Sequence, residues 1–352
     1  MIGPPDISWA LVTIAAAAAI SALTTGLYRS FALKRRILDH PVERSLHQIP
    51  TPRGGGVGVV TVMMATTCFL LHRVRPEMSK VLFADAVGAA GIAVISWIDD
   101  LGGLPASLRL AVQTGASLLL LAALWAAGFF ASFSTLGAIA GIAAIWLWLT
   151  GWTNSFNFMD GIDGIAGLQA AVIGLAWLLL GEASEVRWLG AALSGASLGF
   201  LIFNWPPAKI FMGDVGSAFS GFAIASLPLL NLVEHRPDGR SLIHELAWST
   251  TLAWPFFFDT TFTLARRWRR RENLAKAHRS HLYQRLVQTG MSHMAVTLLY
   301  GTLAILGCGL GALWCHEVLS SVVVAAILAT SALGLLQLTY CREQALKLPS
   351  RA

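Results

Sequence analysis

Asn154-Ser-Phe-Asn157-Phe-Met-Asp160-Gly-Ile-Asp163-Gly164 sets two amides, two carboxylates and two glycines between two long apolar runs. An ionisable side chain left in hydrocarbon costs about 3 kcal/mol or more. A chain that crosses a bilayer therefore places such a run at the membrane surface and gives it a task. Working outward, the same mixture recurs at Trp97-Ile-Asp99-Asp100 and at Phe211-Met-Gly-Asp214-Val-Gly, each again at the edge of an apolar stretch.

The chain has 352 residues, 55% of them hydrophobic and 12% charged, with a mean hydropathy of +0.64. That composition excludes an ordinary soluble domain and predicts an all-α, polytopic membrane bundle. Apolar stretches long enough to span a bilayer fall near 8–28, 57–71, 81–98, 108–127, 135–152, 165–181, 189–205, 218–232, 246–265, 291–313 and 317–340. About eleven transmembrane helices are thus expected in one domain, 1–352, with neither an internal repeat nor a soluble module. The apolar run near the N-terminus has no basic segment ahead of it and reads as an uncleaved first span. Cys68, Cys308, Cys315 and Cys341 have no paired spacing. They read as buried small hydrophobes rather than as a disulfide or zinc framework.

Lys and Arg set the expected orientation. With the N-terminus outside, the inner segments are 29–56, 99–109, 153–164, 206–217, 266–290 and the tail after 341, and they hold 19 of the 25 basic residues. The positive-inside rule then predicts a periplasmic N-terminus and a cytoplasmic C-terminus. Every Asp-rich segment falls on the cytoplasmic side as a consequence. The net charge of +6 is accounted for by these loops and lipid headgroups, and calls for no nucleic acid.

Five groups of residues carry candidate chemistry. Asp99 and Asp100 point in different directions at a helix end, and Arg109 follows at a depth where it can pin a lipid phosphate. Asn154, Asn157, Asp160 and Asp163 are spaced by three, which puts neighbours on one face where the segment is helical. Asp214 between two glycines suits a hard divalent cation that takes one or two protein oxygens beside substrate phosphates. His278, Arg279 and His281 set two imidazoles and a guanidinium side by side, next to an arginine run at 266–271 that reads as inner-surface anchoring. His47-Gln-Ile-Pro-Thr-Pro-Arg53-Gly-Gly-Gly56 lacks the phosphate-loop pattern. It reads as a turn that lets the second span pack closely, with Arg53 able to meet a phosphate. Asp259 lies within the ninth stretch, as a pocket floor, an arginine partner or a helix-packing contact. Asp85 has no assigned task. Carboxylates gathered this closely require a compensating positive group, and oxygens, a metal, Arg and His together suit phosphoryl chemistry.

In that order and spacing, the motifs Asp99-Asp100, Asn154-x-x-Asn157-x-x-Asp160-Gly-Ile-Asp163-Gly, Gly213-Asp214-x-Gly-Ser and His278-Arg-Ser-His281 resemble the polyprenyl-phosphate N-acetylhexosaminyl-1-phosphate transferases. The His-Arg-Ser-His form, with Pro-Thr-Pro-Arg-Gly-Gly-Gly, is most similar to O-antigen initiating members of the WbpL kind. It departs from the three-histidine loop of the phospho-MurNAc-pentapeptide branch. The resemblance implies transfer of an N-acetylhexosamine-1-phosphate, or a 6-deoxy analogue, from a UDP-sugar to undecaprenyl phosphate, with release of UMP. It implies Mg²⁺, with Mn²⁺ as a substitute, on Asp214 and Asn157. It implies catalytic tasks for Asp99, Asp100 and Asp214, with Asp99 on the polyprenyl phosphate and Asp100 in support. It implies substrate contacts for Arg53, Arg109, Asn154, Asp160, Asp163, His278, Arg279 and His281. The expected setting is the bacterial inner membrane, multi-pass, with a cytoplasmic active site and a homodimer as the assembly. A transporter or flippase would instead place charges at mid-membrane on symmetric halves. A CDP-alcohol phosphotransferase would need an Ala-Arg pair that does not follow Asp160-Gly161.

Overall fold

The computed structural model describes residues 3–41, 46, 49–235, 237–274 and 278–346. His47 and Gln48 of the glycine-rich segment lie outside the described residues. Among the described residues the fold is helical apart from one two-stranded pairing and a single β-bridge between Arg53 and Phe211, in keeping with the composition. The helices are α1 (Ile7–Arg35), α2 (Val57–Leu71), α3 (Pro76–Gly102), α4 (Ala106–Ala126), α5 (Thr135–Phe158), α6 (Ile165–Leu180) and α7 (Ser184–Asn204). They continue with α8 (Asp214–Leu232), α9 (Gly239–Leu252), α10 (Trp254–Arg269), α11 (Leu282–Gln288), α12 (His293–Cys315) and α13 (Ser321–Ala345). Among the described residues, eight helices are long and apolar enough to cross a membrane, and α2 and α6 are shorter apolar ones. The protein is a multi-pass membrane protein. Caps mark several starts: Asp6 accepts from Trp9 N at 2.9 Å and Ser134 from Gly137 N at 3.2 Å, each satisfying an amide that the helix leaves unpaired.

The ninth apolar stretch is not one continuous helix. Its window holds Pro255, which cannot donate to the preceding turn and whose ring clashes with it. The helix breaks at Ala253 (φ −123°, ψ 22°), which ends α9 and precedes α10. The cysteines also depart from expectation. Cys68, Cys315 and Cys341 are exposed and Cys308 is partly buried, all four unpaired. The outside of this bundle is itself a lipid-facing surface, so a small apolar residue gains nothing by turning inward.

Small residues set how closely the helices approach. A Cβ on Gly199 of α7 would stand 2.2 Å from Ala18 O of α1, and one on Gly190 would stand 2.6 Å from Leu178 N of α6. Backbone-to-backbone contact of this kind is how helices associate where lipid gives no hydrophobic drive. At the centre is α8, whose residues from Val215 to Leu232 are all buried. It lies against α3 and α5, and its N-terminus opens toward one end of the bundle.

At that same end β1 (Leu38–Asp39) pairs antiparallel with β2 (Thr51–Pro52), a feature the sequence does not announce. The strand pair leads into the three glycines. Phe211 N donates to Pro52 O at 2.8 Å, Gly55 N to Phe211 O at 2.9 Å and Gly56 N to Met212 O at 2.8 Å. The glycines do permit close packing of the second span. A Cβ on Gly56 would lie 2.2 Å from Gly216 Cα.

Candidate active site

Successive spans alternate in direction, so the ends of α3, α5 and α7 meet the starts of α6, α8 and α12 at one end of the bundle. A cavity of about 320 Å³ opens there. Its walls include Asp100, Asn157, Asp160, Asp163 and Asp214, with Arg53 and His278. Segments separated by more than a hundred residues thus converge on one space.

Asp100 closes the N-terminus of α8. Its Oδ1 accepts from Asp214 N at 3.0 Å and its Oδ2 from Val215 N at 3.1 Å. Those amides have no partner within their own helix, and the helix dipole favours a negative charge there. Gly213 makes the approach possible. It has φ +74°, and a Cβ would lie 2.5 Å from Asp100 Oδ2. Arg53 Nε stands 4.0 Å from Asp100 Oδ1.

Asp99 turns elsewhere. It accepts from Leu104 N and from Arg109 Nη1 at 2.7 Å, and the same nitrogen reaches Asp214 Oδ2 at 2.7 Å. Arg109 therefore joins the start of α4 to both acidic segments by charge-assisted bonds. Asn157, on the last turn of α5, accepts from Ser217 Oγ at 2.8 Å and bonds to Asp214.

Asp160 and Asp163 lie beyond the end of α5. The three-residue spacing is therefore helical only as far as Asn157. Burial, and then the carboxylates of Asp214, Asp100 and Asp163, push Asp160 well above the usual carboxylate range. Asp163 accepts from Ala208 N at 3.1 Å and faces His293 Nδ1 at 3.3 Å. Gly164 N, just ahead of α6, is also taken, donating to Asn204 Oδ1 at 2.9 Å.

The histidine segment hangs on Asp259. Its Oδ1 accepts from Leu282 N at 2.8 Å, and its Oδ2 from Tyr283 N at 3.0 Å and Tyr300 Oη at 2.6 Å. His281 Nδ1 lies 3.3 Å from Oδ1. Asp259 is thus the partner of a histidine rather than an arginine, and it caps α11. His281 is buried behind His278, ring centroids 4.9 Å apart, and His278 is the imidazole that reaches the cavity. Burial, followed by its neighbours His281 and Arg267, lowers His278 to about 4.

The structure therefore brings Arg53, Asp100, Asn157, Asp160, Asp163, Asp214 and His278 to the cavity wall. It sets Asp99, Arg109 and His281 behind that wall, in contact with wall residues or with their supports. Arg279 is not among the lining residues. Asn154 is turned away, donating to Gln113 Oε1 at 2.7 Å and Thr150 O at 2.8 Å. It borders a separate apolar groove of about 350 Å³ between α4, α5 and α10. Asp39, Asn204, Phe211, Gln284 and His293 also line the cavity and were not singled out from the sequence. A signal existed for Asn204 and His293, since each ends or begins an apolar run.

Comparison with known proteins gives the same picture from a different direction. Residues 82–231 match the family model described as glycosyl transferase family 4. The chain is 33% identical over 306 residues to a probable undecaprenyl-phosphate N-acetylglucosaminyl 1-phosphate transferase of Bacillus subtilis, covering 82% of each chain. The chain belongs to the polyprenyl-phosphate N-acetylhexosaminyl-1-phosphate transferase superfamily. It is also 30% identical over 329 residues to a decaprenyl-phosphate N-acetylglucosaminephosphotransferase of Mycobacterium tuberculosis, covering 84% of this chain and 80% of that one. A phospho-N-acetylmuramoyl-pentapeptide-transferase of Shouchella clausii is 28% identical over 242 residues, 64% of this chain and 74% of its own. As a polyprenyl-phosphate sugar-phosphate transferase, the protein must bring a phosphorylated lipid and an activated sugar together, and the cavity at the bundle end beside an apolar groove fits that demand.

The cavity also fits a hard divalent cation. Asn157 and Asp214 offer oxygen donors in a wall rich in carboxylates. Among the described residues no three of His, Cys, Asp and Glu converge as a ligand set. A cation of the Mg²⁺ kind would take one or two protein oxygens there and leave its other positions to phosphates and water.

Proposed function

We propose that the protein transfers N-acetylhexosamine-1-phosphate, or a 6-deoxy analogue, from a UDP-sugar to undecaprenyl phosphate. UMP is released, and the product initiates an envelope glycan such as O-antigen. The setting is the cytoplasmic side of a bacterial inner membrane. The observation that carries this reading is the convergence of Asp100, Asn157, Asp160 and Asp214 on one cavity with Arg53 and His278.

The acceptor phosphate loses its second proton near pH 6, so it needs alignment more than a strong base. One of its oxygens attacks the sugar-linked phosphorus, and the bond from that phosphorus to the UMP oxygen breaks. The electron pair leaves with UMP, and the lipid keeps both phosphorus atoms. Arg109 precedes Leu110, a lining residue of the apolar groove, and would hold the acceptor phosphate with the polyprenyl chain in that groove. Asp99 orients Arg109, and Asp100 faces the reacting groups while it holds the α8 amides. Asp214 and Asn157 would hold Mg²⁺, or Mn²⁺ in its place, which when bound neutralises phosphate charge. Asp160 and Asp163 take the nucleoside side, and His278 with Gln284 the sugar side.

The test is UMP release by purified protein given a panel of UDP-sugars, undecaprenyl phosphate and Mg²⁺. Release that needs both the lipid and the divalent cation supports the reading. Hydrolysis without lipid, or transfer from no UDP-sugar in the panel, sinks it.

A further inference from the structure

We infer that Tyr28 of α1 is a positioning residue that acts through Arg53, holding the turn from which that guanidinium meets the donor diphosphate, an inference that rests on the transfer reaction proposed above. The cavity wall carries the carboxylates of Asp39, Asp100, Asp160, Asp163 and Asp214, and among the described residues Arg53 is the one arginine or lysine that lines it. Both reactants are phosphorylated, so the aim of this single guanidinium bears directly on the charge that develops during transfer. Its Nε stands 4.0 Å from Asp100 Oδ1, too far for a hydrogen bond. Asp100 attracts the guanidinium without fixing it, and the direction is left to the backbone. That backbone is poorly determined by its own sequence. Gly54, Gly55 and Gly56 follow Arg53, and glycine takes φ of either sign at little cost. Two supports remove this freedom. On one side Phe211 brackets Arg53, its N donating to Pro52 O and its O accepting from Gly55 N. On the other side stands α1. Thr25 Oγ1 donates to Gly55 O at 3.1 Å, and three residues on, Tyr28 lays its ring edge on Gly54. Gly54 has φ +96°, and a Cβ there would lie 2.7 Å from Tyr28 Oη and 2.8 Å from its Cε1. Tyr28 Oη accepts from Trp97 Nε1 at 3.0 Å, and Trp97 stands two residues ahead of Asp99 on α3. One phenol thereby ties the Arg53 turn to the helix that carries Asp99 and Asp100. Tyr28 is not among the lining residues, so it acts by aiming Arg53 and not by touching substrate.

The test follows UMP release, reading kcat/KM for the UDP-sugar and KM for undecaprenyl phosphate, in Tyr28→Ala, Tyr28→Phe, Arg53→Ala and the double variant of Tyr28→Ala with Arg53→Ala. Arg53→Ala should lower kcat/KM about a hundredfold. Tyr28→Ala should lower it about tenfold, because a misaimed guanidinium is a partial loss of the same contact. KM for the lipid should hold in both, since Arg109 is assigned to the acceptor phosphate. Tyr28→Phe keeps the ring over Gly54 and should stay within about threefold of wild type, the cost of one hydrogen bond. The double variant should be no slower than Arg53→Ala alone, because Tyr28 then has nothing left to aim. Losses that multiply, or a Tyr28→Ala loss carried equally by the lipid KM, would make Tyr28 a general packing residue and overturn the inference. In the wild-type protein, UDP-N-acetylglucosamine with Mg²⁺ should slow modification of Arg53 by phenylglyoxal, followed by mass spectrometry; an unprotected Arg53 overturns the inference whether or not the variants fold. A wild-type protein that releases UMP from no UDP-sugar overturns the transfer reading itself, and this inference with it.

Discussion

Asp99 and Asp100 are adjacent and do different things. Asp99 holds Arg109 and the turn at Leu104, while Asp100 faces the cavity and closes α8. Asp100→Ala and Asp214→Ala should each lower kcat/KM at least about a hundredfold, and Asp99→Asn about tenfold, because Arg109 keeps its bond to Asp214. UMP release at matched protein level checks all three, and near-normal rates in the first two would contradict the site. His278 gives a pH prediction. Its folded value of about 4 lies below the ordinary 6.5, so the folded protein favours the neutral ring. The stability from that preference is present above about pH 6.5 and is lost as pH falls toward 4. His278→Gln should therefore flatten the fall in melting temperature between those limits. At this scale the sequence supplies residue types but not directions. Nothing in Asp99-Asp100 says which carboxylate faces inward, and nothing in Asn154-x-x-Asn157 says that Asn154 turns to Gln113.

Between helices, the decisive element is the short α11, seven residues long. Two turns are not stable alone, and its neighbours hold it. Asp259 takes its first amides. Tyr283 Oη donates to Phe158 O at 2.9 Å, and Arg285 meets Glu343 of α13 at 2.8 Å and 2.7 Å. Asp259→Ala strands several buried donors at once and should cost about 3 kcal/mol or more, seen as a lowered melting temperature. Asp259→Asn should cost less. Gly213→Ala tests the junction of α8 with Asp100. The added Cβ meets both the Asp100 carboxylate and Gly54 N at 2.8 Å, at a backbone φ of +74°, so activity should be lost and the melting temperature should fall with it. The spans themselves were legible because twenty apolar residues in a row have few other uses. The break at Pro255 was visible as a residue yet hidden by averaging over the window. The β1–β2 pairing has no period long enough to read.

For the whole molecule, alternation of spans gathers the acidic segments at one end, and this holds whichever compartment that end faces. The excess of Lys and Arg on that side leads us to propose that it is cytoplasmic. Single cysteines placed at Arg36 and Arg271, in protein freed of its native thiols, should resist a membrane-impermeant maleimide on intact cells, while one at Arg75 should react. The opposite pattern would reverse the orientation. Composition made the membrane class plain, but it misjudged the cysteines because inside and outside are both apolar in such a bundle. The wrapping of α8 by other helices carries a last consequence. Since its residues from Val215 onward touch no lipid, bilayer thickness acts on the peripheral helices, which tilt or adjust, and only weakly on the helix that begins with Asp214. Turnover should accordingly vary little across nanodiscs whose acyl chains differ by a few carbons: the reacting end is referenced to protein, not to the depth of the membrane around it.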